Sequence, residues 1–315
     1  MSGIQPKIMI IMGSASDKVI AQKTIKVLDE MKIAYDLKVA SAHRTHERVK
    51  HIVKTHSNID VFIAIAGLAA HLPGVIASFT DKPVIAVPVD VKFDGLDALV
   101  SSVQMVKGVP IATMGVDRGD NAAWLACEIL AVYDKSLQDK LVVKRESYNQ
   151  KIENSQIELI EDIATDSYKF STEIDEYSDE IKDVNIPKDV EVVVLVEEDT
   201  DNKLVDSLAT KLNLLGLNYL LEKVSLTNPD LISAYMKSQE SVKVYIAVSG
   251  LSTVLIGAVV AHTTKPVIGV PCSTKLNGLD SLLSAIQMPP GVPVATLGLD
   301  AVENAVIYAK KIIGK

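Results

Sequence analysis

The chain has 315 residues and a net charge of −8, with 48% hydrophobic but only 4% aromatic residues. Single cores stop growing at about 250–300 residues, so two domains are predicted. Cores of Val, Ile, Leu and Ala suit parallel α/β sheets buried on both faces. No basic patch marks a nucleic-acid partner, and residues 151–188 hold eleven Asp/Glu against four Lys, −7 of the net charge, leaving the flanks near neutral.

In chain order, an apolar strand at Lys7–Met12 is followed by Gly13-Ser14-Ala15-Ser16-Asp17. Apolar positions Val19, Ile20, Ile25, Leu28 and Met31 then recur at helical spacing. A strand, a hydroxyl-rich turn and a helix start form an anion site; equally, Ser16 or Asp17 simply caps the helix. A strand at Tyr35–Val39 ends at Ser41-Ala42-His43-Arg44-Thr45. That puts an imidazole able to accept or donate a proton beside a bidentate guanidinium, at the sheet edge where ligands bind. The plain alternative is a polar loop with Thr45 as a helix cap.

Residues 61–80 carry no charged residue and run through I-A-I-A-G-L-A-A-H-L-P-G (63–74). They read as a buried strand delivering backbone and His71 to the sheet rim. Gly, His71 and Pro73 break the run, so no membrane span is predicted. Strands follow at 83–88 and 109–114, with helices at 95–105 and 121–133. Alternating strands and helices predict a doubly wound parallel sheet with helices on both faces.

Residues 151–188 are acidic and lack glycine. Ile157, Ile160 and Ile163 suit one face of a short helix, and the remainder reads as a solvated linker. The pattern then restarts: Pro83–Asp117 aligns without gaps onto Pro266–Asp300, with 20 of 35 positions identical. This is an internal duplication. The loops able to do chemistry are the ones that differ, since 13–17 becomes Glu197-Glu198-Asp199-Thr200-Asp201, 41–45 becomes Ser225–Pro229, and His71 becomes Val254. The second copy keeps the scaffold and loses the site. The predicted division is 1–150, a linker at 151–188, and 189–315. Cys127 and Cys272 read as core thiols and Trp124 as packing. His46, His51, His56 and His262 read as structural or solvated, with no metal-ligand set, and the start of the chain lacks signal-peptide features, which fits a cytoplasmic protein.

Together G-S-A-S-D (13–17), S-A-H-R-T (41–45), A-A-H-L-P-G (69–74) and G-L-D-A-L-V-S-S-V-Q-M (95–105) resemble the family of 5-(carboxyamino)imidazole ribonucleotide mutases, the carboxylase-type subunit of purine biosynthesis. The resemblance covers residues 7–145, and 190–315 as a partial copy. It implies two flavodoxin-like three-layer (αβα) domains with parallel sheets, and a carboxylate shift from an exocyclic amine to ring carbon 4 without ATP, metal, biotin or any other cofactor. It also implies assembly into an octamer, imitated here by a tetramer of two-domain chains. Ser14, Ser16, Ser41 and Arg44 are implied to hold the 5′-phosphate and Asp17 the ribose. Gly67, Ala69, Ala70, His71 and Leu72 are implied to lie beside the ring and carboxylate, with His43 as general acid/base. Three positions depart from the family pattern: Leu68 replaces a glycine, His46 a proline, and Val106-Lys107 a Pro-x pair. Direct carboxylation by CO2 is the nearest rival, and Arg44, where that branch carries Lys, favours the mutase. A non-catalytic nucleotide-binding scaffold is the rival from another class.

Overall fold

The uncharged apolar runs form strands buried on both faces: β1 (Ile8–Met12), β3 (Val61–Gly67) and β4 (Val84–Val89) are buried throughout except at Gly67. The half-polar run forms an outer strand, β2 (Tyr35–Val39). β5 is only Ala112–Thr113, shorter than the predicted 109–114, because Pro110 has no N–H to give the ladder. These facts come from a computed structural model describing residues 5–163, 184–236 and 240–314.

Helices alternate with the strands: α1 (Lys18–Met31), α2 (His46–Thr55), α3 (Leu72–Phe79), α4 (Leu96–Val103) and α5 (Gly119–Ala131). In α1 the buried positions Ile20, Ala21, Thr24, Val27, Leu28 and Met31 form one stripe, ended by Lys32 at φ 59°. The next helix, α6, runs unbroken from Lys135 to Ile163. The predicted boundary at 150 therefore falls inside a helix. No Gly or Pro interrupts this stretch, and its Glu, Lys, Gln and Leu are good helix formers despite the acidic charge. The rest of the predicted linker up to residue 183, and the side chains of Ile157 and Ile163, lie outside the described residues.

The second copy repeats the plan with β6 (Val192–Glu197), α7 (Asn202–Leu214), β7 (Tyr219–Val224), α8 (Pro229–Met236), β8 (Val244–Ser249), α9 (Val254–Ala261), β9 (Val267–Pro271), α10 (Leu279–Ile286), β10 (Ala295–Thr296) and α11 (Val302–Ile313). Within each half all strands are parallel and follow the flavodoxin-like order 2-1-3-4-5.

The two half-sheets are not separate. Thr113 of β5 pairs antiparallel with Thr296 of β10, giving one ten-stranded sheet, β2-β1-β3-β4-β5-β10-β9-β8-β6-β7. On one face a single core runs across both halves, from Ile8, Ile10 and Ile63 through Leu125 to Val194, Ile246 and Tyr308. On the other face each half keeps its own core. Between these, α4 meets α10 through Leu99, Val103, Leu282 and Ile286.

Reciprocal hydrogen bonds close the seam. Asn121 accepts from Gly291 N–H at 2.9 Å and donates to Pro289 O at 3.0 Å. Its counterpart Asn304 accepts from Gly108 N–H at 2.8 Å and donates to Val106 O at 3.1 Å. Lys107 pairs with Glu303 at 2.9 Å, so the departure at Val106-Lys107 lies on the seam. The buried Tyr308 hydroxyl crosses it to Val84 O. Cys127 and Cys272 are buried free thiols, and Trp124 packs in the shared core edge-on to Tyr148. Among the described residues no helix is long and apolar enough to cross a membrane.

Candidate active site

Because β2, β1 and β3 are adjacent and parallel, the loops after them converge at one edge, at the point where the strand order reverses. A cavity of about 430 Å³ opens there. Gly13, Ser14, Ser16 and Asp17 line it from the β1 loop, Ser41, His43 and Arg44 from the β2 loop, and Gly67, Leu68, Ala69 and Leu72 from the β3 loop.

The first turn is capped by Ser14, whose Oγ accepts from Ser16 N–H at 3.3 Å. Neither Ser16 nor Asp17 serves as the cap, since Asp17 makes no capping bond to α1. Instead the Ser16 hydroxyl lies 2.8 Å from Ser14 Oγ and 2.9 Å from Asp17 Oδ1, and its one proton serves one of them at a time. Thr45 makes no capping bond to α2 either. Its Oγ1 accepts from Ser41 N–H at 2.8 Å and donates to Ser41 O at 3.2 Å, closing the loop on itself. The loop stays closed with His46 in place of a proline; that ring stands edge-on to Phe79. Arg44 touches Ser41 Oγ and Gly13 O only at 3.5 Å, leaving an exposed guanidinium free to grip an anion.

His43 Nε2 and His71 Nδ1 stand 2.9 Å apart, with ring centroids 5.0 Å apart. Such a contact needs one nitrogen to donate and the other to accept, so the pair shares a proton and fixes complementary tautomers. His71 itself borders a larger, apolar groove of about 920 Å³ along α4, with Val75, Phe93, Leu96 and Met105. Ala70, also expected at the site, is buried and lies behind the cavity wall. Its N–H donates to Ser101 Oγ on α4 at 2.9 Å.

Sequence reasoning passed over Ser101, although it lies within the 95–105 motif. It also passed over Val91, whose side chain approaches so closely that a Cβ on Gly67 would come within 2.5 Å of it. Leu68, in place of a glycine, sits at φ 56° and is half exposed in the cavity. That left-handed conformation costs a non-glycine residue about 1–2 kcal/mol. The counterpart Leu251 has φ 50°, so the strain is inherited by both copies. Of the remaining histidines, His56 bonds Ile52 O, while His262 bonds Ala258 O and Ser233, as expected of structural groups.

Asp17 is 6% exposed. Burial pushes its carboxyl pKa up, and Asp117 adds to this, against lowering by the Ser16 hydroxyl and Ser14 backbone. A native pKa above the unfolded one means that ionisation costs stability as pH rises through it. Asp17→Asn is therefore expected to melt at or above the parent temperature at pH 7. Ligand affinity is expected to fall about 10- to 100-fold, the worth of a charge-assisted bond. Calorimetry with and without ribonucleotide reads both, and a variant that melts lower at pH 7 contradicts the argument.

Ser101 has its own test. Ser101→Ala leaves the Ala70 N–H without its acceptor and frees the His71 loop, so kcat is expected to drop about 10- to 100-fold with KM nearly unchanged. Ser101→Thr should recover most of it. Equal losses in kcat/KM through KM alone would mean the serine acts on binding.

The chain is similar to the family model described as AIR carboxylase over residues 7–151 and again over 191–315. A protein of Methanothermobacter thermautotrophicus described as "Probable N5-carboxyaminoimidazole ribonucleotide mutase" is 43% identical, covering 99% of this chain and 94% of its own. The "N5-carboxyaminoimidazole ribonucleotide mutase" of Methanocaldococcus jannaschii is 61% identical over 46% of this chain and 92% of its own. A crystal structure of Treponema denticola PurE aligns at TM-score 0.45 with 34% identity, over 51% of this chain and 99% of that one. With the family matched twice, once in each half, and a relative aligned end to end, the chain belongs to the AIR carboxylase family.

Proposed function

We propose that the chain converts N5-carboxyaminoimidazole ribonucleotide into the 4-carboxy-5-aminoimidazole ribonucleotide of purine biosynthesis, at a site in residues 1–150. The observation that carries this reading is the 2.9 Å His43–His71 pair, with His43 on the wall of a cavity also lined by Ser14, Ser16, Ser41 and Arg44.

In this mechanism the serines and Arg44 hold the 5′-phosphate and Asp17 holds the ribose hydroxyls. His43 protonates the carbamate nitrogen, the N–C bond breaks and CO2 is released. Ring carbon 4 then attacks CO2, and its proton returns to His43, so the proton count closes. His71 holds His43 in a fixed tautomer. The Gly67–Leu72 loop confines CO2 beside the ring, which supplies the proximity contribution.

Residues 189–315 serve assembly, and the acting form is a cytoplasmic tetramer imitating an octamer. Equivalent exposed apolar residues support this: Phe93 and Leu96 in the first half, Leu276 and Leu279 in the second. Sedimentation of the purified chain tests it, and a monomer at micromolar concentration speaks against it.

The activity test is a paired assay following ultraviolet absorbance. One arm offers the carboxyamino ribonucleotide; the other offers the aminoimidazole ribonucleotide with bicarbonate and carbonic anhydrase. Fast turnover in the first arm alone is expected. Turnover only in the second makes this a direct carboxylase, and silence in both from folded protein favours a binding scaffold.

A further inference from the structure

The duplication provides an internal comparison of one pocket in two states. Strand register aligns Gly13, the residue after β1, with Glu197, the last residue of β6, and aligns Ala66 and Gly67 with Ser249 and Gly250. In the first half, Gly13, Ala66 and Gly67 line the open 430 Å³ cavity. In the second half, the Glu197 side chain reaches across the same floor. One carboxylate oxygen accepts from Ser249 Oγ at 2.8 Å and from Gly250 N–H at 3.0 Å.

The backbone receptor is the same in both halves. A Cβ on Gly67 would meet Val91 at 2.5 Å, and one on Gly250 would meet Thr274 at 2.7 Å. Each glycine is thus held under an equivalent side chain from the next strand's loop. Ser249, fully buried, has replaced Ala66 and adds a hydroxyl donor aimed at the carboxylate. Its other contact is a 3.4 Å approach to Gly250 O. Two donors, one from the fully buried Ser249, converging on one oxygen of the half-buried Glu197 make a carboxylate receptor rather than a chance surface contact.

We propose that the second half carries a carboxylate-binding site built from Ser249 Oγ and Gly250 N–H, filled by the chain's own Glu197, and that once emptied it takes a small free carboxylate. The second copy is then a plugged pocket, filled by the glutamate at the position where the first copy has Gly13 and held by the serine at the position of Ala66. Gly13 has room for the same change, because a Cβ there meets nothing nearer than Ile65 O at 3.7 Å.

Glu197→Gly in the full chain tests the proposal independently of the reaction assigned to the first half. The melting temperature is expected to fall by about 3–10 °C as the buried donors lose their acceptor. Formate or acetate should restore about half or more of the loss, saturably, while chloride at equal ionic strength and the parent protein show no such response. An unchanged melting temperature, or recovery equal in chloride, overturns the proposal. Should that variant fail to fold, Gly13→Glu provides the reciprocal reading. A crystal structure is expected to show the new carboxylate within hydrogen-bond distance of Gly67 N–H. A side chain turned to solvent overturns the equivalence of the two pockets.

Discussion

His43→Asn is expected to lower kcat by about 10²- to 10⁴-fold, the usual worth of a positioned proton carrier, while leaving ribonucleotide affinity within about threefold. Ser14, Ser16, Ser41 and Arg44, which also line the cavity, come from the β1 loop and the β2 loop. None depends on the imidazole for its position: Thr45 closes the β2 loop through Ser41 backbone, and Ser14 caps its own turn. His71→Asn loses less, because an amide still accepts or donates toward His43 across the 2.9 Å gap. Measuring kcat together with ligand affinity by titration calorimetry for both variants separates the roles. Should the His71 variant lose more turnover than the His43 variant, the proton carrier is His71 and the assignment reverses.

The second large effect lies far from the chemistry. Asn304→Ala removes the acceptor of Gly108 N–H and the donor to Val106 O, and Asn121→Ala does the mirror-image damage at Gly291 and Pro289. Each variant loses two hydrogen bonds made by a buried asparagine, at a cost of about 1–3 kcal/mol. The two single variants should therefore destabilise the chain alike in urea denaturation, although they lie in different copies. Because one core runs beneath both halves, unfolding should remain a single transition in which activity is lost together with structure. Two separated transitions, with the first half active while the second melts, would show that the seam does not couple them.

The sequence disclosed what depends on local pattern. Uncharged runs became buried strands, helical stripes became α1 to α5, and the three chemistry-bearing loops met at one sheet edge because parallel βαβ order demands it. The repeated Pro83–Asp117 segment marked the duplication before any fold was known. What escaped depends on how distant surfaces meet. Nothing in a two-residue strand such as Ala112–Thr113 announces that it pairs antiparallel with its own duplicate. A short helix was expected near residues 157–163, but not that it would continue unbroken from Lys135, across the expected boundary at 150. At the site, residue types singled out the hydroxyls and the histidine that line one cavity. They did not reveal that His71 faces His43, nor that Ser101 reaches over from α4 to hold the loop between them.

The antiparallel seam also changes what kind of event assembly is. For two separate chains, each ending its sheet in a strand as short as β5, pairing is a bimolecular encounter that dilution reverses. Joined through α6 and the segment after it, the two edges meet at an effective concentration in the millimolar range, set by the tether and not by the amount of protein in the cell. Partnership that free chains obtain only by mass action becomes a fixed property of each molecule. One copy can then differ in its pocket loops, as at Glu197 against Gly13, while it keeps its seam residues, as at Asn304 against Asn121. Glu197 in the pocket and Asn304 at the seam stand on the two sides of that division.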